Sequence, residues 1–274
     1  MKLFNFLIKN NIWIALISLS NVVYFQLIFS GKVEVTYALV VFTGTLFIYN
    51  LHRYLKKSNT IRIIEIINEN KSLILFAILS VLFIVFDFVG LRLVDIPRYS
   101  PVILLLFALG SAGTIIYLLS SRMELPWKKY AIIKPLSLTV IWFLLVALIP
   151  LIHHTSPWEH WGKLTHFFLV LFAICLVFDI KDLDIDRQGH INTIANVYGV
   201  QFTRRFALVL LVLSILVTFF IHASWNYRIG LMGISLLTMF AIKNVNEQNK
   251  SDYYYLWLDG LLGLFLPVLL ICGL

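Results

Sequence analysis

Charged residues are scarce in this sequence: Asp, Glu, Lys and Arg make up 13% of its 274 residues, whereas 60% are hydrophobic. Soluble globular domains contain about 25% charged and about 45–50% apolar residues, so this composition excludes a water-soluble enzyme and a disordered chain. The mean hydropathy of +0.90 supports the same conclusion. The composition is that of an integral membrane protein.

Cysteine is also scarce, with only Cys175 and Cys272 present. Both lie in apolar segments without the spacing that a zinc site needs, so the sequence excludes a disulfide scaffold and a zinc motif. The net charge of +8, from 22 basic and 14 acidic residues, is typical of basic loops that face an anionic membrane surface. We therefore expect the lipid bilayer, and no nucleic acid, as the partner of these loops.

Nine apolar segments are candidates for membrane spans, each of which needs about 20 residues of helix. They are residues 11–30, 34–52, 72–91, 100–120, 131–152, 163–180, 204–222, 227–242 and 254–273. Because the connecting segments are short, the sequence predicts an all-α integral membrane protein with about nine transmembrane helices in a single domain, residues 1–274. The longer polar loops, about 50–71 and 179–203, are the places where a polar site is expected.

The basic residues are distributed unevenly between the two sides of this arrangement. With the N-terminus inside, 17 of the 22 Lys and Arg residues fall on the inner side and 5 on the outer side. Since Lys and Arg are enriched in cytoplasmic loops, the sequence predicts a multi-pass protein of the cytoplasmic membrane with a cytoplasmic N-terminus. Both longer polar loops then face the cytosol.

Four of the eight aspartates lie within eight residues at the inner end of the sixth apolar segment: Asp179, Asp182, Asp184 and Asp186. On a continuous helix, Asp179, Asp182 and Asp186 share one face, and Asp184 points away. Carboxylates so close together repel one another unless a cation lies among them. Mg²⁺ suits such a set, because it binds one or two carboxylates together with substrate phosphates. The alternative is a plain helix end whose carboxylates pair with neighbouring basic residues.

The stretch 178–199, FDIKDLDIDRQGHINTIANVYG, resembles the second aspartate-rich motif of the UbiA superfamily of intramembrane prenyltransferases, DxxDxxxDR…T…G. Six positions of that motif are matched here, namely Asp179, Asp182, Asp186, Arg187, Thr193 and Gly199. The glycine that members usually have four residues after the last aspartate is displaced to Gly189. The nine spans, the inner N-terminus and the polar loop after the sixth span are also similar to this superfamily.

The first aspartate-rich motif of the superfamily, NxxxDxxxD at the inner end of the second span, is only partly present. Asn50 matches its asparagine, but Tyr54 and Ser58 occupy the positions of the two aspartates. Arg53 and Lys57 share a helix face with Asn50 by their spacing, and an arginine can hold phosphate through paired hydrogen bonds. These residues lead to the hypothesis of a one-metal site in which Arg53 replaces the second ion.

The resemblance implies a Mg²⁺-dependent prenyltransferase that moves an isoprenoid chain from a prenyl diphosphate to an aromatic or lipid-like acceptor. It implies that the catalytic metal ligands are Asp179, Asp182 and Asp186. The candidate diphosphate-binding residues are Asn50, Arg53, Lys134 and Arg187. One alternative is a catalytically impaired homologue that binds a lipid or a quinone without turnover. An ion-coupled transporter would instead place acids near the bilayer midplane, which the clustering at one end argues against.

Two further acids, Asp87 and Asp259, lie inside the third and ninth apolar segments. Acids within a membrane span are candidates for function by default, because burial of their charge is costly. Asp87 is nearer the outer end, beside Arg92, whereas Asp259 is nearer the inner end. The sequence therefore makes Asp259 a candidate for a cavity wall.

Overall fold

The computed structural model describes residues 2–57, 130–154, 157–246, 249 and 253–273, with short pieces at 75–76, 78–79, 81–82, 105 and 108–114. Within these residues, all regular secondary structure is helical. The predicted spans 72–91 and 100–120 lie largely outside the described residues. Ser58 and the side chains of Tyr54 and Lys57 also lie outside them.

The principal described helices are numbered in chain order. They are α1 (Lys2–Lys9), α2 (Ile12–Ser30), α3 (Val35–Lys57), α4 (Ile133–Phe143), α5 (Ile149–His154), α6 (Trp161–Lys181), α7 (Leu183–Gln188), α8 (Ile194–Tyr198), α9 (Val200–Thr218), α10 (Trp225–Lys243), α11 (Asp259–Leu262) and α12 (Phe265–Cys272). One π-helical segment, Leu144–Leu148, joins α4 to α5, and another, Tyr254–Leu258, precedes α11. A short 3-10 helix, Pro157–Glu159, precedes α6.

Seven of the nine predicted spans fall on described residues, and each of the seven is helical. Six have the length and apolar composition of a membrane span: Ile12–Ser30, Val35–Arg53, Ile133–Leu151, Trp161–Lys181, Val200–Thr218 and Tyr254–Cys272. The eighth predicted span is the 19-residue helix α10, which is not among the six because its first turn, Trp-Asn-Tyr-Arg, is polar. The chain is therefore a multi-pass membrane protein, and the part of it that the structure describes is helical.

The central helix of this bundle is α6, which packs against α4, α9 and α10, while α2 packs against α3, α5 and α12. Aromatic rings fill the place where α2, α6 and α12 meet. The ring of Phe167 lies edge-to-face against Phe25, with centroids 4.9 Å apart, and against Phe265, at 5.1 Å. All three side chains are fully buried. Such ring pairs add to the packing that holds membrane helices together in lipid.

The segment 179–203 corrects the prediction of a polar loop, because most of it is helical. The helix α6 ends at Lys181, and Asp182 separates it from the short helix α7. The backbone N–H of Asp186 donates a hydrogen bond of 2.8 Å to the carbonyl of Asp182, which closes the first turn of α7 after the break. The break thus places Asp179 at the end of α6 and Asp186 in α7.

The other motif positions in this segment determine the backbone path. Thr193 begins α8 with a capping box: its hydroxyl accepts from the N–H of Asn196, whose side chain accepts from the N–H of Thr193. This arrangement satisfies two helix donors that would otherwise be unpaired. Gly199, between α8 and α9, has a φ of +86°, which favours glycine. The two motif residues thus have structural roles.

The displaced glycine has a conformational explanation. Gly189 has a φ of −82°, whereas His190, four residues after Asp186, has a φ of +50°. His190 therefore occupies the position at which the superfamily usually has glycine. Histidine is among the residues that adopt this left-handed conformation more often than most. Residue 190 thus takes a left-handed backbone conformation without a glycine.

The predicted orientation can be tested with two exposed positions at opposite ends of the bundle. Lys32 follows α2 and Gln188 ends α7, and both are exposed. In a background with Cys272→Ser, a membrane-impermeant maleimide added to intact cells is expected to label Lys32→Cys and to spare Gln188→Cys, because Lys and Arg concentrate on the cytoplasmic side. Permeabilised cells, in which both positions react, are the control. Labelling of position 188 from outside would reverse the orientation.

Candidate functional site

A cavity of about 450 Å³ lies among α2, α3, α4, α6 and the last helical segment. Its body is apolar and includes Ile14, Val41, Leu138 and Trp142. The charged side chains that line it lie toward one end of the bundle, together with three further polar ones: Arg53, Lys134, Asp179, Lys181, Asp182 and Asp259, with Asn11, His52 and Tyr255. Four smaller polar residues also line the cavity: Ser18, Thr45, Ser111 and Thr114. The cavity therefore combines an apolar body with one polar, charged end.

Lys134, in the first turn of α4, connects two aspartates of the motif. Its Nζ donates to Asp186 Oδ1 at 2.7 Å and lies 3.3 Å from Asp179 Oδ1. The side chains of Asp179 and Asp186 are only 5% and 3% exposed, and buried carboxylates require such a cation nearby. Within the described residues, the second oxygen of Asp179, Oδ2, is buried without a hydrogen-bond partner. One acceptor at the cavity is therefore left for a further cation or donor.

Lys181, at the end of α6, is a second cation of the cavity that the sequence analysis did not select. Its Nζ donates a 2.8 Å hydrogen bond to the hydroxyl of Tyr255 and lies 3.6 Å from Asp182 Oδ1. The same ammonium lies 4.4 Å from the centroid of the Tyr255 ring, within the range of a cation–π interaction. Its position between the first two motif aspartates was the signal that could have identified it.

Arg53 and Asn50, the candidates from the first motif, contact the junction of α1 and α2. Arg53 donates to the carbonyl of Lys9, to that of Ile8 at 3.4 Å, and to Asn11 Oδ1 at 2.8 Å. Asn50 Oδ1 accepts a 3.1 Å hydrogen bond from the Asn11 side chain. Arg53 thus bonds to carbonyl groups at the C-terminal end of α1, of which that of Ile8 also accepts from the backbone N–H of Asn11. The degenerate first motif therefore holds α1 beside the polar end of the cavity.

The structure brings only some of the predicted site residues together. Four of them line the cavity: Arg53, Lys134, Asp179 and Asp182. Asp186 lies behind this surface, bonded to Lys134, and Asn50 and Arg187 are not among the described residues that line it. The Arg187 side chain is 58% exposed and lies 3.9 Å from Asp184, which is 92% exposed. The prediction that Asp184 points away from the other aspartates is thus in agreement with its exposure.

The carboxylates at the cavity fit a single magnesium ion better than the expected set of three. No group of three or more His, Cys, Asp or Glu side chains in the described part of the chain is arranged to hold a metal ion. Asp179 and Asp182 both line the cavity, and Asp179 has the unpartnered oxygen. Mg²⁺ commonly takes one or two carboxylates and completes its shell with waters and substrate phosphates. Asp179 and Asp182 are the residues at the cavity that would hold one such ion.

These features define a multi-pass helical membrane protein whose apolar cavity ends in a cluster of acidic and basic side chains. Residues 66–265 match the UbiA prenyltransferase family, and the chain belongs to this family. Two Corynebacterium glutamicum proteins, both named lycopene elongase/hydratase, are each 28% identical to it over 121 residues. The match covers 40% of this chain, and the chain spans only 40% of the length of these relatives. No solved structure matches the chain significantly.

Proposed function

We propose that this protein transfers an isoprenoid chain from a prenyl diphosphate to a hydrophobic acceptor, with Mg²⁺ as cofactor. The observation that carries the proposal is the cavity, in which an apolar body adjoins one end lined by Arg53, Lys134 and Lys181. A prenyl diphosphate has the same division into a charged head and an apolar tail. In the proposed orientation, the charged end of the cavity faces the cytosol. The water-soluble head group of the donor enters the cavity from that side.

The basic side chains assist departure of the diphosphate. At an effective dielectric constant near 20, one pair of opposite charges about 4 Å apart contributes about 4 kcal/mol. Lys134 and Lys181 are already held at the cavity by Asp186 and Tyr255, so they need little reorganisation as negative charge develops on the leaving group. Mg²⁺ bound by Asp179 and Asp182 would supply further positive charge to the diphosphate oxygens.

The apolar walls protect the reactive chain from water. When the C–O bond of the donor breaks, its electron pair leaves with the diphosphate and the allylic carbon becomes a carbocation. Ile141, Trp142 and Leu171 line the cavity beyond its polar end, and an environment of this kind prevents premature capture by water. The matched relatives are named for lycopene, an apolar polyene, which supports an acceptor of similar hydrophobicity.

A second candidate function is binding of a lipid or a quinone without turnover. Two observations favour it: Tyr54 and Ser58 replace the aspartates of the first motif, and the Lys134 ammonium lies between Asp179 and Asp186. Fewer carboxylates then remain for metal ions. In this alternative, the cavity retains its shape and its apolar ligand but does not ionise a prenyl diphosphate.

Lipid extracts from cells with and without the protein test the two functions against each other. The enzyme produces a prenylated compound that is absent from cells lacking the protein and from cells with Asp182→Asn. A binding protein instead leaves the set of prenylated compounds unchanged, and the purified protein carries a lipid that copurifies with it. Wild-type protein that binds geranylgeranyl diphosphate and releases no diphosphate in the presence of the extract would contradict the transferase proposal.

The one-metal hypothesis gives a prediction for Arg53. If its guanidinium also contacts the diphosphate in place of a second ion, Arg53→Ala is expected to weaken binding of geranylgeranyl diphosphate about tenfold or more, the loss of one charge-assisted contact. Arg205→Ala, which removes an exposed arginine of α9, is the control and should leave binding unchanged. Titration with Mg²⁺ at saturating diphosphate should show one bound ion.

Because Arg53 also contacts α1, the affinity must be read together with the thermal stability of the purified variant. A lower Tm with unchanged affinity would show that Arg53 only holds α1 in place. Two bound magnesium ions would contradict the one-metal hypothesis.

A further inference from the structure

Asp259 is a buried acid of the cavity that belongs to neither aspartate-rich motif. It is 7% exposed, and it lines the cavity together with Tyr255 and Leu262 of the same helical segment. A carboxylate in a membrane span is costly, so it is retained only where it has a charged neighbour or a function. Lys181 lines the same cavity, and its Nζ donates a hydrogen bond to Tyr255, four residues before Asp259. Because Asp259 lies inside the cavity, its side chain is a candidate to contact the reacting molecules, and substitution of Asp259 can test this.

The position of Asp259 along the cavity differs from that of the motif aspartates. The hydroxyl of Tyr255 contacts Lys181 at the end of α6, which marks the polar end. Asp259 follows Tyr255 by four residues and thus lies about one helical turn, roughly 5 Å, further into the bundle. There α11 packs against α2 and α6, whose residues Ile14 and Leu171 belong to the apolar wall. Asp259 thus lies at the boundary between the charged end and the apolar body.

A diphosphate bound at the charged end places its allylic carbon at this same boundary, because that carbon adjoins the leaving oxygen. We propose that Asp259 is the catalytic base that accepts the proton released by the acceptor. The inference rests on the proposed transfer reaction and adds the residue that completes it. It also specifies the acceptor class: a compound with an aromatic or olefinic carbon that carries, or adjoins, a removable hydrogen.

Proton transfer to Asp259 follows formation of the new C–C bond. The C–O bond of the donor breaks, and the electron pair leaves with the diphosphate. A π-electron pair of the acceptor forms the new C–C bond to the allylic carbon, which leaves a positive charge on the acceptor. A C–H bond of the acceptor then breaks, its electrons restore the double bond, and the Asp259 carboxylate receives the proton.

The test uses the full-length protein in lipid nanodiscs with geranylgeranyl diphosphate as donor and the cellular lipid extract as the source of acceptor. Asp259→Asn keeps the size of the side chain and removes the base. We expect the affinity for the donor to be unchanged. The amount of prenylated product should fall at least about a hundredfold, because a general base usually contributes a factor of this size. The release of diphosphate should fall less than tenfold. The prenyl alcohol should appear, because water reacts with the carbocation when transfer to the acceptor is not completed.

Asp184→Asn is the matched control, since it makes the same change at a carboxylate that is 92% exposed; its product formation should equal that of the wild type. Asp259→Glu retains a carboxylate but moves it by one methylene group, so it should form more than about a tenth and less than about half of the wild-type product. Should Asp259→Asn not fold, Asp259→Glu decides alone: less product at unchanged donor affinity supports the base.

Two results would overturn the assignment: undiminished product from the Asp259 variants, or a tenfold loss of donor affinity, which would place Asp259 in the donor site. Failure of the proposed function is distinguishable from both, because the wild-type protein itself would then form no product.

Discussion

Replacing Asp182 by asparagine is expected to abolish magnesium-dependent binding of a prenyl diphosphate, with a loss of affinity of about a hundredfold or more. Asp182 lines the cavity beside Asp179, and the two provide the carboxylates proposed for one magnesium ion. At an effective dielectric constant near 20, loss of one carboxylate charge removes several kcal/mol of attraction between the protein and the magnesium ion. The measurement is calorimetric titration of geranylgeranyl diphosphate into the purified protein at saturating Mg²⁺ and after addition of EDTA.

Asp184→Asn separates a metal ligand from a general effect of negative charge. Both substitutions remove one carboxylate from the same short segment, but the Asp184 side chain is 92% exposed, whereas that of Asp182 is 20% exposed. The Asp184 variant should bind the donor within threefold of the wild-type affinity and retain its dependence on Mg²⁺. Equal losses in both variants would contradict the assignment of Asp182 as a metal ligand.

The sequence was sufficient to predict the membrane-spanning helices because their signal is local. A run of about 20 apolar residues identifies a span without reference to its neighbours, and α6, Trp161–Lys181, differs from the predicted 163–180 by two residues at most. The break at Asp182 was not predictable in this way. A helix end depends on dihedral angles and on tertiary packing, which hydrophobic patterning does not report.

The pairing of the site residues was much harder to predict than their identity. Lys134 and Asp186 are separated by 52 positions and Lys181 and Tyr255 by 74, so nothing in local spacing indicates which lysine meets which partner. Arg53 illustrates the same limit. Its place one turn after Asn50 favoured a contact with phosphate, yet its hydrogen bonds in the structure are with α1 and Asn11. Those contacts exist because α1 ends beside α3, which only the fold determines.

Lys134 is expected to be the most sensitive basic residue of the site, because it serves two carboxylates at once. In Lys134→Met, the buried Asp179 and Asp186 lose the ammonium that lies 3.3 Å from one and 2.7 Å from the other. Removing one partner of a buried ion pair costs about 3–5 kcal/mol. For a chain of this size, that loss corresponds to a fall in Tm of about 5 °C or more. Binding of geranylgeranyl diphosphate should also fall at least tenfold.

The double variant Lys134→Met/Asp186→Asn separates the two roles. Because the ammonium and the carboxylate of its closer partner, Asp186, are removed together, the double variant should recover part of the lost Tm, as expected for two residues whose effects are coupled. The recovery is partial because the buried Asp179 still lacks the Lys134 ammonium. Donor binding should stay weak, since the Lys134 ammonium is no longer present at the cavity to contact the diphosphate. Recovery of both Tm and affinity would mean that Lys134 only neutralises Asp186. If neither Tm nor affinity recovers, the ion pair does not explain why Lys134→Met lowers the stability, because removing the partner charge then does not restore the Tm.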